Sequence, residues 1–270
     1  MASANVNQSI QRRTPWEITC AVWYAMFMRE ALARTTVDRF SWFWMLAEPI
    51  AMVVVMIYIR SFIMSGRHIS GAEFIPWLIV GLLGFFLFRE TLQQSLGAIG
   101  ANNGLFAYRQ VIPVDPVLVR CFLEGVLKSL ILLIFIAACE LLGIHLVPAN
   151  PLVALYHWFA LWCLGIGASL TLSAVTELIP DVKPIIKISM LPLLIISGVI
   201  IPLNYLPHWL QEYLLWNPIV HGLESLRLSF FDSYRSLDGV NMSYLWLWAL
   251  SMMALGLMLH IRFQHRLKAQ

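Results

Sequence analysis

Two charged pairs stand inside apolar runs long enough to cross a bilayer: Arg89 beside Glu90, and Glu124 four residues before Lys128. A charge at the centre of a membrane helix costs roughly 2.5–3.5 kcal/mol on insertion scales, so such residues mark mutual neutralisation or a route for something charged. If the run from Phe74 goes inward and the run from Val117 outward, a rise of about 1.5 Å per residue brings Arg89 and Lys128 to similar depth. They can then share one cavity. Two chemistries stay open: neutralisation, for which Glu124 before Lys128 has the favourable order, or a cationic lining for an acidic or phosphorylated passenger. Arg60, nearer the outer end of an earlier run, joins that lining unless it snorkels or pairs with Glu73.

Other chemistry is not written in the chain. No nucleophile, base and orienting residue can be grouped without arbitrary choice, so no catalytic set is expected. His208 and His221 have no second ligand at metal spacing and suit structural or capping roles; no metal site is expected. Cys20, Cys121, Cys139 and Cys163 are scattered and behave as small apolar residues. Neither a Gly-x-x-x-x-Gly-Lys-Ser/Thr phosphate loop nor a Gly-x-Gly-x-x-Gly helix opening occurs, so any ATP dependence must come from another chain. A net charge of +3 is too slight for nucleic-acid binding.

The elements that must position these charges are membrane helices. Of 270 residues 60% are hydrophobic and 12% charged, with mean hydropathy +0.75. A bilayer core takes roughly 20 apolar residues per helix. Runs of that order recur at Phe40–Met64, Phe74–Leu96, Val117–Ile144, Leu152–Thr176, Ile185–Ile201 and Ser243–Phe263. The expectation is an all-α integral membrane protein of six spans, one domain over 1–270, with spans 1–5 in 40–201 and span 6 at 243–263. With alternating spans, Arg12, Arg13, Arg29, Arg34, Arg39, Arg109, Arg120, Lys183, Lys187, Arg262, Arg266 and Lys268 share one side, whereas only Arg60, Arg67, Arg227 and Arg235 fall on or near the other. Both termini are therefore expected in the cytoplasm.

Within 1–39, Pro15 and Trp16 open a helix with Trp16, Cys20, Trp23 and Phe27 at helical spacing, expected to lie along the inner membrane surface as an amphipathic interface helix. A cleaved signal peptide is the rival, and Glu17 inside the run speaks against it. The loop Ala101–Val119 carries Asn102, Asn103 and Gly104 for a turn and Pro113 and Pro116 as helix stops. Its Leu105, Phe106 and Tyr108 are bulk that a solvated loop would not want. They pack on this chain's own inner helix or enter a groove on a cytosolic partner. Between Pro202 and Phe231, prolines 202, 207 and 218 forbid one continuous span; a broken hairpin that dips into the outer side of the bilayer is expected, which points to a conduit. Trp42, Trp44, Trp158, Trp162, Trp246 and Trp248 sit near span boundaries and suit an interfacial belt; any that face a cavity offer a sliding surface to sugar rings.

Six blocks in order, RTTVDRFSWFWMLAEP (34–49), GFFLFRET (84–91), NNGLFAYRQVIPVDPVL (102–118), LIPDVKP (178–184), ISGVIIPL (196–203) and WNPIVHGLE (216–224), resemble the membrane subunit of bacterial capsular polysaccharide ABC exporters, within the type-2 ABC permease superfamily. The resemblance runs over nearly the whole chain. It implies a homodimer in the bacterial inner membrane with two ABC ATPase subunits. Those subunits hold ATP and magnesium; this chain binds no cofactor. It further implies a periplasmic adaptor or co-polymerase, an outer-membrane exporter, and a lipid-linked acidic polysaccharide as passenger. The inner loop maps to a coupling helix at Asn102–Gln110, with Asn102, Asn103, Leu105, Phe106, Tyr108 and Arg109 facing the ATPase. The hairpin maps to two short re-entrant helices, with Trp209, Trp216, Asn217, His221 and Glu224 as a periplasmic gate. Arg60, Arg89, Lys128, Trp42 and Trp44 would line the path. The alternatives are the same fold moving an O-antigen, a teichoic acid or an amphiphile, or an ion-coupled transporter that uses the charged pairs as a relay.

Overall fold

The computed structural model describes residues 14–36, 41–63, 71–108 and 110–268; side chains at 15, 34–36, 41, 42, 45 and 60–63 lie outside that description. Every regular element among them is helical. α1 (Pro15–Thr36) opens on a capping box: Glu17 Oε2 accepts from the Thr14 amide at 2.9 Å and Thr14 Oγ1 from the Glu17 amide at 3.3 Å. Two otherwise orphaned amides are satisfied, with Pro15 at the first helical position where its missing N–H costs nothing. α2 (Ser41–Ile63) and α3 (Phe74–Ser95) follow, then a 3-10 turn (Gly100–Ala107), α4 (Val114–Leu141) and α5 (Pro151–Leu178). α6 (Val182–Ile196), α7 (His208–Leu214), α8 (Pro218–Phe230), α9 (Met242–Arg262) and α10 (Gln264–Lys268) complete the chain.

α3, α4, α5 and α9 are long and apolar enough to cross a membrane; α2 carries a shorter apolar stretch, Leu46–Ile59, among its described residues. Among the described residues the helix ends fall within three residues of the apolar runs except at the end of α6. α4 starts at Val114, between the two prolines read as stops, because Pro116 falls in the first turn, where no amide donor is needed. α6 ends at Ile196 instead of Ile201: Gly198 takes φ +70°, and a Cβ there would stand 2.7 Å from Leu203. Its 15 residues reach only about 22 Å at 1.5 Å per residue, short of a bilayer core of about 30 Å.

α3 is the hub, buried along most of its length and packed on α2, α4, α5, α6 and α8. α5 makes its most extensive contact with α9. The backbones meet there because a Cβ on Gly167 would lie 2.7 Å from the Ala249 carbonyl, and one on Gly256 2.7 Å from Thr171 N. Hydroxyls tie α5 to both α3 and α9. Ser169 Oγ donates to the Thr91 carbonyl at 2.9 Å and Thr171 Oγ1 to that of Met252 at 2.7 Å. Two ends of the bundle result. One gathers α1, the 3-10 turn, the start of α4 and α10; the other gathers α7, α8 and the starts of α3 and α9.

Candidate functional site

Arg89, six residues before the end of α3, is held between two carboxylates. Its Nε donates to Glu90 Oε1 at 2.8 Å, its Nη2 pairs with Glu48 of α2, and its guanidinium lies 4.2 Å from the Phe86 ring centre. The side chain is 16% exposed. Glu48, a residue that sequence reasoning passed over, thus ties α2 to α3. On α4, Glu124 and Lys128 are both buried, on the face that carries Cys121. Cys121 Sγ meets Ser95 Oγ of the antiparallel α3 at 3.3 Å. Six residues back on α3 and seven forward on α4 come to similar height, about 9–10 Å from that contact, so the register puts Arg89 and Lys128 level. Trp44 is exposed with its ring edge-on to Phe43. The side chains of Arg60 and Trp42 lie outside the described residues.

At the α1 end, the 3-10 turn is bound inward by its polar start and half-inward by its apolar centre. Asn102 is buried; its Oδ1 accepts from Arg29 of α1 and its Nδ2 donates to the Ala98 carbonyl at 2.7 Å. Asn103 Oδ1 is buried with no hydrogen-bond partner. Leu105 and Phe106 pack against Met26 of α1 and against Val111 and Val119. Tyr108, by contrast, is 66% exposed, and Ile112 is exposed beside it. Arg109 lies outside the described residues. Asp115 accepts from Trp23 Nε1 at 2.8 Å and from the Ile112 amide at 2.8 Å, Arg120 pairs with Glu30 at 2.9 Å, and Lys268 Nζ donates to the Val111 carbonyl at 2.9 Å. The turn therefore rests on a frame built from α1, α4 and α10, with Tyr108 as its protruding ring.

The opposite end holds α7 and α8 as the expected pair of short helices. Each of the three prolines opens an element: Pro202 precedes a 3-10 turn at Leu203–Tyr205, Pro207 precedes α7, and Pro218 is the first residue of α8. Asn217 caps α8 by accepting from the Ile219 amide at 3.0 Å, and its Nδ2 donates to Ser197 Oγ at 3.0 Å. His221 accepts at Nδ1 from the Asn241 amide at 2.9 Å, so its proton sits on Nε2 and is donated to the Leu215 carbonyl at 2.8 Å. Trp209 and Trp216 are exposed. Glu224 is buried in a cluster that sequence reasoning missed. Arg227, 0% exposed, donates from Nη1 to Glu224 Oε1 and to the Gly198 carbonyl at 2.9 Å each, and from Nη2 to the Val199 carbonyl at 3.2 Å. Its guanidinium stacks 3.6 Å from the centre of the Trp77 ring, close to Gly81, where a Cβ would come within 2.1 Å of Nη2. Tyr234 O–H donates to Glu224 Oε2 at 2.9 Å, and burial pushes that phenol's pKa up, which keeps it a donor. The only signal available in the sequence was the three-residue spacing of Glu224 and Arg227. One guanidinium thus joins α8, the end of α6 and the start of α3.

This chain belongs to the ABC-2 type transporters, whose pattern it matches over residues 21–231. Membership implies an ATPase on a separate partner. Within that class it is 31% identical to the polysialic acid transport protein KpsM of Escherichia coli, over 92% of this chain and 95% of that one. It is 28% identical to the capsule polysaccharide export inner-membrane protein CtrC of Neisseria meningitidis serogroup A, over 91% of this chain and 92% of the relative. It is also 25% identical to the corresponding BexB of Haemophilus influenzae, over 91% and 92%.

Proposed function

We propose that this chain is the channel-forming subunit of an ATP-driven exporter that moves a lipid-linked acidic polysaccharide from cytoplasm to periplasm across a bacterial inner membrane. The observation that carries this reading is near full-length similarity to subunits named for polysialic acid transport and capsule export. In this account α2 and α6 cross the bilayer with the four longer helices, both termini are cytoplasmic, and two copies meet with two ATPase subunits below. Support for the six crossings comes from α6: it leaves α5 at the 3-10 turn's end and finishes against Arg227 at the hairpin's end. Support for the dimer comes from the open apolar faces of α2 and α6, where Val54, Val55, Tyr58, Ile188, Leu191 and Ile195 are exposed.

The path runs along the dimer axis past Arg60, Arg89 and Lys128, with Trp42 and Trp44 as a sliding surface. Arg89 enters it as a paired group balanced by Glu48 and Glu90, so the passenger is held weakly and at several points, as threading requires. The 3-10 turn receives the ATPase stroke through Tyr108, Asn102 passes it to Arg29 of α1, and the α7–α8 hairpin dips back into the outer leaflet as the seal that the emerging polymer displaces. A periplasmic adaptor and an outer-membrane exporter would receive it. The test is copurification: Tyr108→Asp should insert normally yet lose its ATPase partner, and unchanged recovery of the partner would contradict the coupling assignment.

A further inference from the structure

Beside α1 the described residues form a groove of about 580 Å³, walled by Trp23 and Phe27 of α1, Leu118 and Phe122 of α4, and Trp162 and Ile166 of α5. Both indoles turn their one polar atom into protein: Trp23 Nε1 donates to Asp115 Oδ1 at 2.8 Å and Trp162 Nε1 to the Cys121 carbonyl at 3.0 Å. The rings present only apolar faces to the groove. Water or a sugar hydroxyl placed there would forfeit its hydrogen bonds, which costs more than the contact returns. The groove is also continuous with the outer face of the membrane-length helices. Phe122 stands 6.0 Å from Trp162, Trp162 5.8 Å from Phe159, and Phe159 6.2 Å from Trp246 of α9, ring centre to ring centre. Flanking that line, Leu155, Leu247 and Leu250 are exposed.

We propose that this groove seats one acyl chain of a membrane phospholipid, wedged between α1 and the wall of α4 and α5. The inference rests on α4, α5 and α9 crossing the membrane and is independent of the exported cargo. Its consequence lies on α1, which also holds the 3-10 turn through Arg29 with Asn102 and through Met26 with Phe106. The bound chain fills the space on which α1 rests and so sets the height of the coupling turn.

The test uses the full-length protein in nanodiscs of phosphatidylethanolamine and phosphatidylglycerol, doped with a phosphatidylethanolamine that carries a diazirine in its acyl chain. After illumination, adducts should concentrate in residues 23–28, 118–122 and 162–166. Ile166→Trp, which fills the groove, should lower them several-fold and leave adducts on α9 unchanged. Should that variant fail to insert, Phe122→Trp at the half-open mouth serves the same purpose. Even labelling of all exposed helix faces, unaltered by either substitution, would overturn the proposal. Displacement of the label by a lipid-linked glycan would also overturn it and give the groove to the cargo. Neither outcome bears on ATP-driven export, which is measured separately.

Discussion

At the scale of residues, Arg227, buried among four described partners, is not a cation that the sequence singles out. Arg89 and Lys128 are conspicuous because they interrupt apolar runs, whereas Arg227 reads as an ordinary charge on an outer segment. Its partners explain why: Trp77, Gly198 and Val199 are distant in sequence and converge only when α3, α6 and α8 pack. Removing one member of a buried ion pair strands the other and costs about 3–5 kcal/mol. Arg227→Ala and Glu224→Ala should each lower the melting temperature sharply in detergent. The double substitution should cost much less than the sum, because neither leaves a lone charge. Additive losses would mean that the pair is not coupled. Arg89→Gln leaves Glu48 and Glu90 without their shared cation, and should loosen α2 from α3, read as faster proteolysis near the start of α2; Glu48→Gln in the same background should restore resistance.

At the scale of elements, hydrophobic runs and prolines made the long helices and most of their ends legible among the described residues. The capping box at Thr14 and Glu17 explains why α1 starts where Pro15 suggested. Legibility failed where the decisive contact is distant. The early end of α6 depends on Leu203 closing against Gly198, and the inward turn of Asn102 depends on Arg29, 73 residues away. Of the residues proposed for coupling, Asn102, Leu105 and Phe106 serve the frame beneath the turn, while Tyr108 faces outward. Phe106→Ala should therefore lower thermal stability by a margin typical of a large core truncation, about 3–5 kcal/mol if fully buried and less at this half-buried site. Tyr108→Ala should leave stability within about 0.5 kcal/mol of the parent. Equal destabilisation by the two would contradict this division of labour.

At the scale of the whole molecule, a subunit whose α2 and α6 leave broad apolar faces open has room for a second copy along them. In a background without native cysteines, Val55→Cys paired with Ile188→Cys should crosslink between protomers in native membranes, while Leu250→Cys on the outer face of α9 should not. The two ends of the bundle differ in build: Tyr108 and the frame beneath it at one, the Arg227 anchor and the hairpin at the other, joined by α3 through its whole length. We propose that ATP hydrolysed by a partner drives a lipid-linked acidic polysaccharide through the paired subunits. It is tested most directly with the purified permease–ATPase complex in inside-out vesicles, by following protection of that polysaccharide from an added glycan hydrolase. Protection should require both ATP and a hydrolysis-competent ATPase. Equal protection without the ATPase, driven by a proton gradient alone, would contradict it.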